Sequence, residues 1–218
     1  MSEQFLPLFP LNTVLFPHMF LRLHIFEERY KLLVNTVLQG NACFGILLVA
    51  EAEDGEVRPS EIGTIGRITE MQRLSGGRMN VIIQGVSRFR VSEYDNTMPF
   101  LRGIVEPLTD EDSNTSLPQL VGSVGGLFSQ YLNTLLTITS QEPRQIQLPD
   151  SPEILSFLVA DGLQIEWTQK QDLLELLSAR ARLEQEAGIL KREVVMLKHF
   201  RTVPKQLVDN GGITFSLN

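Results

Sequence analysis

Short apolar segments alternate with prolines near the start of the chain. Pro7, Pro10 and Pro17 separate these segments. Each proline removes a backbone donor and favours extended geometry in the residue before it. A helix cannot pass through this spacing, so the pattern predicts short strands at residues 5–8, 14–16 and 20–23. Their apolar side chains require burial, which makes this stretch the first wall of a β-rich core.

The next segments predict one helix followed by strands. Apolar residues recur at helical spacing over 27–39, and Gly40 ends that pattern. Residues 42–50 form a continuous apolar run, typical of a buried strand. After an acidic loop at 51–61, the pattern predicts antiparallel strands with a hairpin at Ser75-Gly76-Gly77 and a bend at Gly85. We expect these strands at 64–74, 79–84, 87–92 and 99–107. Together the elements indicate a small, partly closed β-barrel with one helix.

From residue 117 the apolar period becomes helical. The polar segment 110–116 is the predicted linker, so we expect a β-rich lobe at 1–109, a helical lobe at 117–201 and a tail at 202–218. Helices are expected at 117–136 and at 152–162, where Ser151 is the N-cap. Leucines recur every seven residues and predict a single helix from 168 to about 200, roughly 48 Å long; they are Leu176, Leu183, Leu190 and Leu197. The fold class is therefore α+β, and the long helix or the tail offers a surface for dimerisation.

Charge and composition narrow the function classes. The 218 residues include 19 Lys and Arg against 26 Asp and Glu, which gives a net charge of −7. Nucleic-acid binding usually shows as a basic patch, whereas the arginines here are scattered. Arg88 and Arg90 are interpreted as solvated positions of a strand. No apolar run approaches the roughly 20 residues that span a membrane. A start without signal character and a single cysteine predict a cytoplasmic protein.

Candidate catalytic and metal-binding groups are sparse. The three histidines and Cys43 lack the spacing of metal ligands, so we expect neither a metal nor a cofactor. Glu27 and Glu28 are explained by the first turn of a helix, where acidic side chains are favourable. The sequence contains no recognisable pairing of a nucleophile with a base. We therefore expect a protein that is not an enzyme.

Ordered motifs along the chain carry a family resemblance. The first are Pro7-Leu-Phe-Pro-Leu11, Val14-x-Phe-Pro17 and Leu21-x-Leu-x-x-Phe-Glu-x-Arg-Tyr30. The later ones are Glu61-x-Gly-Thr-x-Gly-Arg-Ile68, Gly77-Arg-x-Asn-Val-x-Ile-x-Gly85, Pro99-Phe-Leu101, Val105-Glu-Pro-Leu108 and Leu148-Pro-Asp-x-Pro-Glu153. In this order and spacing they resemble the N-terminal substrate-recognition domain of the Lon ATP-dependent proteases, over roughly residues 5–200. The resemblance implies a PUA-like β-barrel lobe followed by an α-helical lobe.

The resemblance also sets expectations about activity. An ATPase phosphate loop needs a Gly-Lys pair, and the sequence contains none. We therefore expect a free-standing form without the ATPase and peptidase domains of the family. The resemblance implies that it binds unfolded or tagged polypeptide, and a separate ATP-dependent protease is a possible partner as an acceptor of that polypeptide. The alternatives are RNA binding, which some PUA-like barrels perform, and an uncatalogued small-molecule enzyme.

Exposed apolar side chains are the candidate binding residues. Met19 and Phe20 follow the last proline of the opening stretch, and Met71, Leu74 and Met79 surround the predicted hairpin. Methionine adapts to varied partners because its thioether chain is flexible. Packing in the core is the alternative role for these methionines. A sheet edge that accepts an extended peptide as an extra strand is a second binding mode.

Overall fold

The computed structural model describes residues 5–51, 56–112, 116–143 and 147–202. Its strands are β1 (Leu6–Leu11), β2 (Phe20–Ile25), β3 (Cys43–Glu51), β4 (Val57–Pro59), β5 (Ile62–Arg73), β6 (Met79–Asp95) and β7 (Arg102–Leu108). Its helices are α1 (Glu28–Val37), α2 (Pro118–Ile138), α3 (Pro152–Gly162), α4 (Trp167–Glu175) and α5 (Ala179–Thr202). Strands precede helices along the chain except for α1, so the predicted α+β class is confirmed.

The strands form one seven-stranded sheet rather than a closed barrel. Its order is β1-β7-β6-β5-β3-β4, and β2 pairs with β6 beside that path. β1 also pairs with β3 in parallel, which curls the sheet back on itself. The sequence predicts a partly closed barrel, and the curled path agrees with that prediction, while β2 and β4 lie outside the path. The long strand β6 explains this: residues 79–84 pair with β2, and residues 88–95 pair with β7.

Gly85 lies inside β6 where the sequence predicts a bend. A Cβ atom at this position would lie 2.2 Å from the Phe16 carbonyl oxygen, so only glycine allows the contact. The Gly85 N–H donates to the Met19 carbonyl at 2.9 Å, and the His18 N–H donates to the Gly85 carbonyl at 2.8 Å. Residues 14–16 therefore cross β6 as an irregular segment instead of the predicted strand.

Two apolar clusters connect the layers. The first lies between the sheet and α1, and its buried members include Phe9, Tyr30, Leu33, Val34, Phe44, Met79, Val81 and Ile83. The second joins the sheet to the helices through Val14, Phe16, Leu48, Ile62, Val124, Phe128, Leu155, Phe157 and Leu190. The rings of Phe16 and Phe157 lie 6.2 Å apart within it. The helical part is thus packed directly onto the sheet.

The predicted single helix over 168–200 is two helices. Leu176 adopts extended geometry after α4, and the Asp112 carboxylate accepts hydrogen bonds from the Ala179 and Arg180 N–H groups at 2.9 and 3.1 Å. These N–H groups at the start of α5 lack partners within the helix, so an acidic side chain stabilises the new start. Leu183 and Leu190 are buried in the second cluster.

The strand in the tail and the dimer both stay predictions. The strand-like segment at 213–217 lies outside the described residues. Within the described ranges, none of the helices combines the length and apolar character that crossing a bilayer requires.

Candidate functional site

A groove of about 550 Å³ lies between the sheet and the helical part. The segment that leads into β2 forms one side, and the connection from α3 to α4 forms the other. The side chains that matter below are Phe20, Leu21, Asp161, Ile165, Glu166, Trp167 and Lys170. This groove is the candidate functional site because aromatic side chains are exposed on both sides of it.

Phe20 supplies the wall on the sheet side. It is the first residue of β2 and pairs with Gln84 of β6. A positive φ of 68° at His18 turns the chain into the strand, and the half-buried Met19 packs against both apolar clusters. The pairing with β6 and the packing of Met19 therefore hold the backbone of Phe20 in place, while its side chain remains 62% exposed.

Trp167 supplies the wall on the helical side. It is the first residue of α4 and is 44% exposed. The Lys170 ammonium lies 5.1 Å from the centre of the indole ring and donates a hydrogen bond to the Asp161 carbonyl at 2.6 Å. Burial lowers the pKa of the Lys170 ammonium. Lys170 therefore links the end of α3 to the indole ring of α4.

A buried ionic network fixes the two sides of the groove relative to each other. Arg88 of β6 and Arg182 of α5 both donate to the Asp110 carboxylate, Arg182 at 2.6 Å. Arg88 also donates to the carbonyls of Leu174 and Leu176 beyond the sheet, at 2.7 and 2.6 Å. The interpretation of Arg88 as a solvated strand residue is wrong, because the side chain is only 3% exposed. Asp110, the first residue of the predicted linker, is buried as well.

α4 is also tied directly to the sheet. The Gln171 side-chain amide donates to the Ile62 carbonyl of β5 at 2.9 Å and to the Glu175 carboxylate at 2.8 Å. Because Gln171 lies one turn beyond Trp167, this contact orients the helix that carries the indole. The helix that carries one wall of the groove is therefore hydrogen-bonded directly to the sheet.

The structure separates the predicted binding residues into two places. Phe20 lines the groove and Met19 packs against the apolar clusters, whereas Met71 and Leu74 lie at the β5–β6 hairpin, at the far end of β2. Met79 is 1% exposed and packs in the first cluster. It cannot contact a partner in the folded protein, so the core-packing alternative holds for this methionine.

Sequence reasoning missed the helical wall of the groove. Trp167 precedes the predicted helix start, and Lys170 looks like an ordinary solvated helix residue. The available signal was the presence of the chain's single tryptophan beside a helix N-terminus. Among the described residues, no three His, Cys, Asp or Glu side chains cluster in a way that would hold a metal ion.

Comparison with known proteins places this architecture in a family. The family model described as "ATP-dependent protease La (LON) substrate-binding domain" matches residues 5–192. The Lon protease of Desulfosudis oleivorans is 24% identical over 212 residues, covering 94% of this chain and 26% of that protein. The Lon protease of Clostridioides difficile is 27% identical, covering 88% of this chain and 26% of that protein. The chain thus spans about a quarter of the length of these curated relatives.

Solved structures agree with the family match. A Lon N-terminal domain protein from Xanthomonas campestris superposes with a TM-score of 0.63 at 26% identity, covering 84% of this chain and 96% of that one. The N-terminal domain of a Mycobacterium avium complex Lon protease has the same fold, with a TM-score of 0.60 at 15% identity over 88% of this chain and 98% of that one. Sequence motifs, family model and fold agree: the chain belongs to the Lon substrate-binding domain family.

Proposed function

We propose that this protein is a non-catalytic binding module for unfolded or tagged polypeptide, and that the groove between Phe20 and Trp167 is where the polypeptide binds. The observation that carries the proposal is the pair of exposed aromatic side chains facing one groove in a member of the Lon substrate-binding family. An extended segment would place an apolar side chain between the two rings.

The energetics suit a reversible binder. Burying apolar surface stabilises by roughly 25 cal/mol per Å², so covering Phe20 and Trp167 contributes on the order of a few kcal/mol. The ordering of an unfolded segment opposes this gain. Because hydrogen bonds hold the backbones on both sides of the groove, the walls themselves lose little entropy. We therefore expect micromolar affinity rather than nanomolar affinity.

Trp167 provides the test of this proposal. It is the only tryptophan in the chain, so its fluorescence reports on the groove alone. Titration with a tryptophan-free segment of an unfolded casein should shift the emission to shorter wavelength, because the indole leaves water. Phe20→Ala should weaken binding about tenfold, which corresponds to the loss of one partly buried aromatic side chain.

Phe26→Ala is the matched control. Phe26 is 61% exposed, nearly the same as Phe20, but it lies beyond the other end of β2 and lines a different cavity. The control variant should bind like the original protein. Equal weakening by both substitutions, or no change in Trp167 emission on saturation, would contradict the groove as the binding site.

We also propose that the bound polypeptide is passed to a separate ATP-dependent protease. The support is the family: the curated relatives are Lon proteases in which the matching part is about a quarter of the chain. Adding this protein to a Lon protease from the same organism should accelerate degradation of an unfolded substrate, and Phe20→Ala should remove the acceleration. Degradation that is unchanged or slowed would reject delivery while leaving polypeptide binding intact.

The RNA-binding alternative is not favoured, since the chain carries a net charge of −7.

A further inference from the structure

Two carboxylates lie beside the aromatic walls of the groove. Asp161 lies near the end of α3, Glu166 immediately precedes α4, and both are exposed and line the groove. In the part of the chain that the structure describes, neither side chain forms a salt bridge within 4 Å, although the Lys170 ammonium attracts the Asp161 carboxylate. The Glu166 carboxylate does not cap α4 either. The charge of Glu166 is therefore available to a ligand, and Lys170 offsets only part of the negative charge of the two carboxylates.

The cation in the groove is already engaged. The Lys170 ammonium donates to the Asp161 backbone carbonyl at 2.6 Å and lies against the indole of Trp167, and the residue is only 6% exposed. The end of α3 and the start of α4 meet here, so their opposite partial charges largely cancel. Two carboxylates against one buried ammonium leave the groove with negative charge toward an incoming segment.

We infer that the groove selects segments in which a lysine or arginine follows an apolar or aromatic side chain. The apolar side chain occupies the space between Phe20 and Trp167, and the basic side chain reaches Glu166 and Asp161. This inference rests on the proposed function and adds the chemistry of the bound segment. An arginine gains further by stacking on the exposed indole, and the net charge of −7 favours the approach of a basic segment.

Three labelled peptides test the inference. They share one aromatic-aliphatic core and differ only in flanking residues, which are lysine, serine or glutamate. Fluorescence anisotropy at low salt should show the lysine-flanked peptide binding about three- to tenfold tighter than the serine-flanked one, the range expected for two partly screened contacts. That advantage should shrink as salt is added.

Neutral replacements of the two carboxylates test whether they cause the preference for lysine. The double variant Glu166→Gln with Asp161→Asn should bind the lysine-flanked and serine-flanked peptides with equal affinity. Asp172→Asn is the matched control, because Asp172 is an exposed carboxylate on the same helix α4 that does not line the groove. The control should keep the full preference for lysine.

The outcomes separate this inference from the proposed function. Equal affinity for all three peptides, or tightest binding of the glutamate-flanked one, overturns the preference for basic segments while polypeptide binding stands. Failure of all three peptides to bind overturns both. Self-association of the protein that competes with every peptide assigns the groove to a second copy and also overturns the inference.

Discussion

Glu186 is a buried carboxyl side chain in α5, and neither of its oxygens has a hydrogen-bond partner among the residues that the structure describes. It is fully buried, one helical turn from Arg182. Burial raises the pKa of the Glu186 carboxyl well above its usual value, against the attraction of Arg182. Arg182 already donates to Asp110 and to Ser156, at 2.6 and 2.7 Å. A carboxyl group in this position therefore costs free energy that an apolar side chain of similar size would not.

Glu186→Met should raise the free energy of unfolding at pH 7 by roughly 1–3 kcal/mol. The sign follows from linkage: the unfolded chain releases the Glu186 proton near its ordinary pKa of about 4.3, whereas the folded protein retains it. Stability contributed by the protonated carboxyl is thus lost as the pH rises above about 4.3. Urea unfolding at pH 7 and pH 4 measures this, and the gain from Glu186→Met should be smaller at pH 4.

Glu184→Met is the matched control for that substitution. Glu184 lies two residues away in α5 and is exposed, so the change should leave the free energy of unfolding within about 0.5 kcal/mol. A large loss of stability for Glu186→Met at pH 7 would mean that the carboxylate is ionised and balances the second arginine near Asp110.

At the scale of elements, the sequence pattern predicts those helices and strands whose formation depends on residues close in the sequence. The helical spacing before Gly40 and the Ser151 cap both correspond to helices, α1 and α3. The predictions of element boundaries fail where a residue far away in the sequence determines where an element begins or ends. The break between α4 and α5 depends on Asp112, which is 67 residues before Ala179 in the sequence. The continuity of β6 through Gly85 depends on the Phe16 backbone that crosses it.

In the candidate site, too, residues placed by their sequence neighbours are predictable, and residues placed by distant contacts are not. Phe20 is predictable because a proline-bounded corner places an aromatic residue at the start of a strand. Trp167 is not, because its exposure beside Phe20 follows from how α4 is held on the sheet through Gln171. Met79 misleads for a related reason: residues near a hairpin look accessible, but strand alternation turns this one toward α1 and the first cluster.

At the scale of the whole molecule, the contacts of Asp110 couple the unfolding of the sheet to that of the helices. It lies at the predicted boundary between two lobes, yet it binds arginines from both parts, and an apolar cluster also spans them. We therefore expect a single transition in which Trp167 fluorescence and far-UV circular dichroism coincide. Asp110→Asn leaves two buried guanidinium groups without their shared carboxylate and should cost roughly 3–5 kcal/mol.

Asp95→Asn is the control for this prediction, because the Asp95–Arg102 ion pair lies within the sheet part alone. It should lower stability less than Asp110→Asn and keep the two signals coincident. If Trp167 fluorescence instead changed before the dichroism in the unaltered protein, the helices would be an independent unit. The groove would then lie between parts that move separately, and binding there would have to order both walls at once. A single coincident transition instead means that the polypeptide meets walls already fixed in place, so affinity depends on the contacts of Phe20 and Trp167.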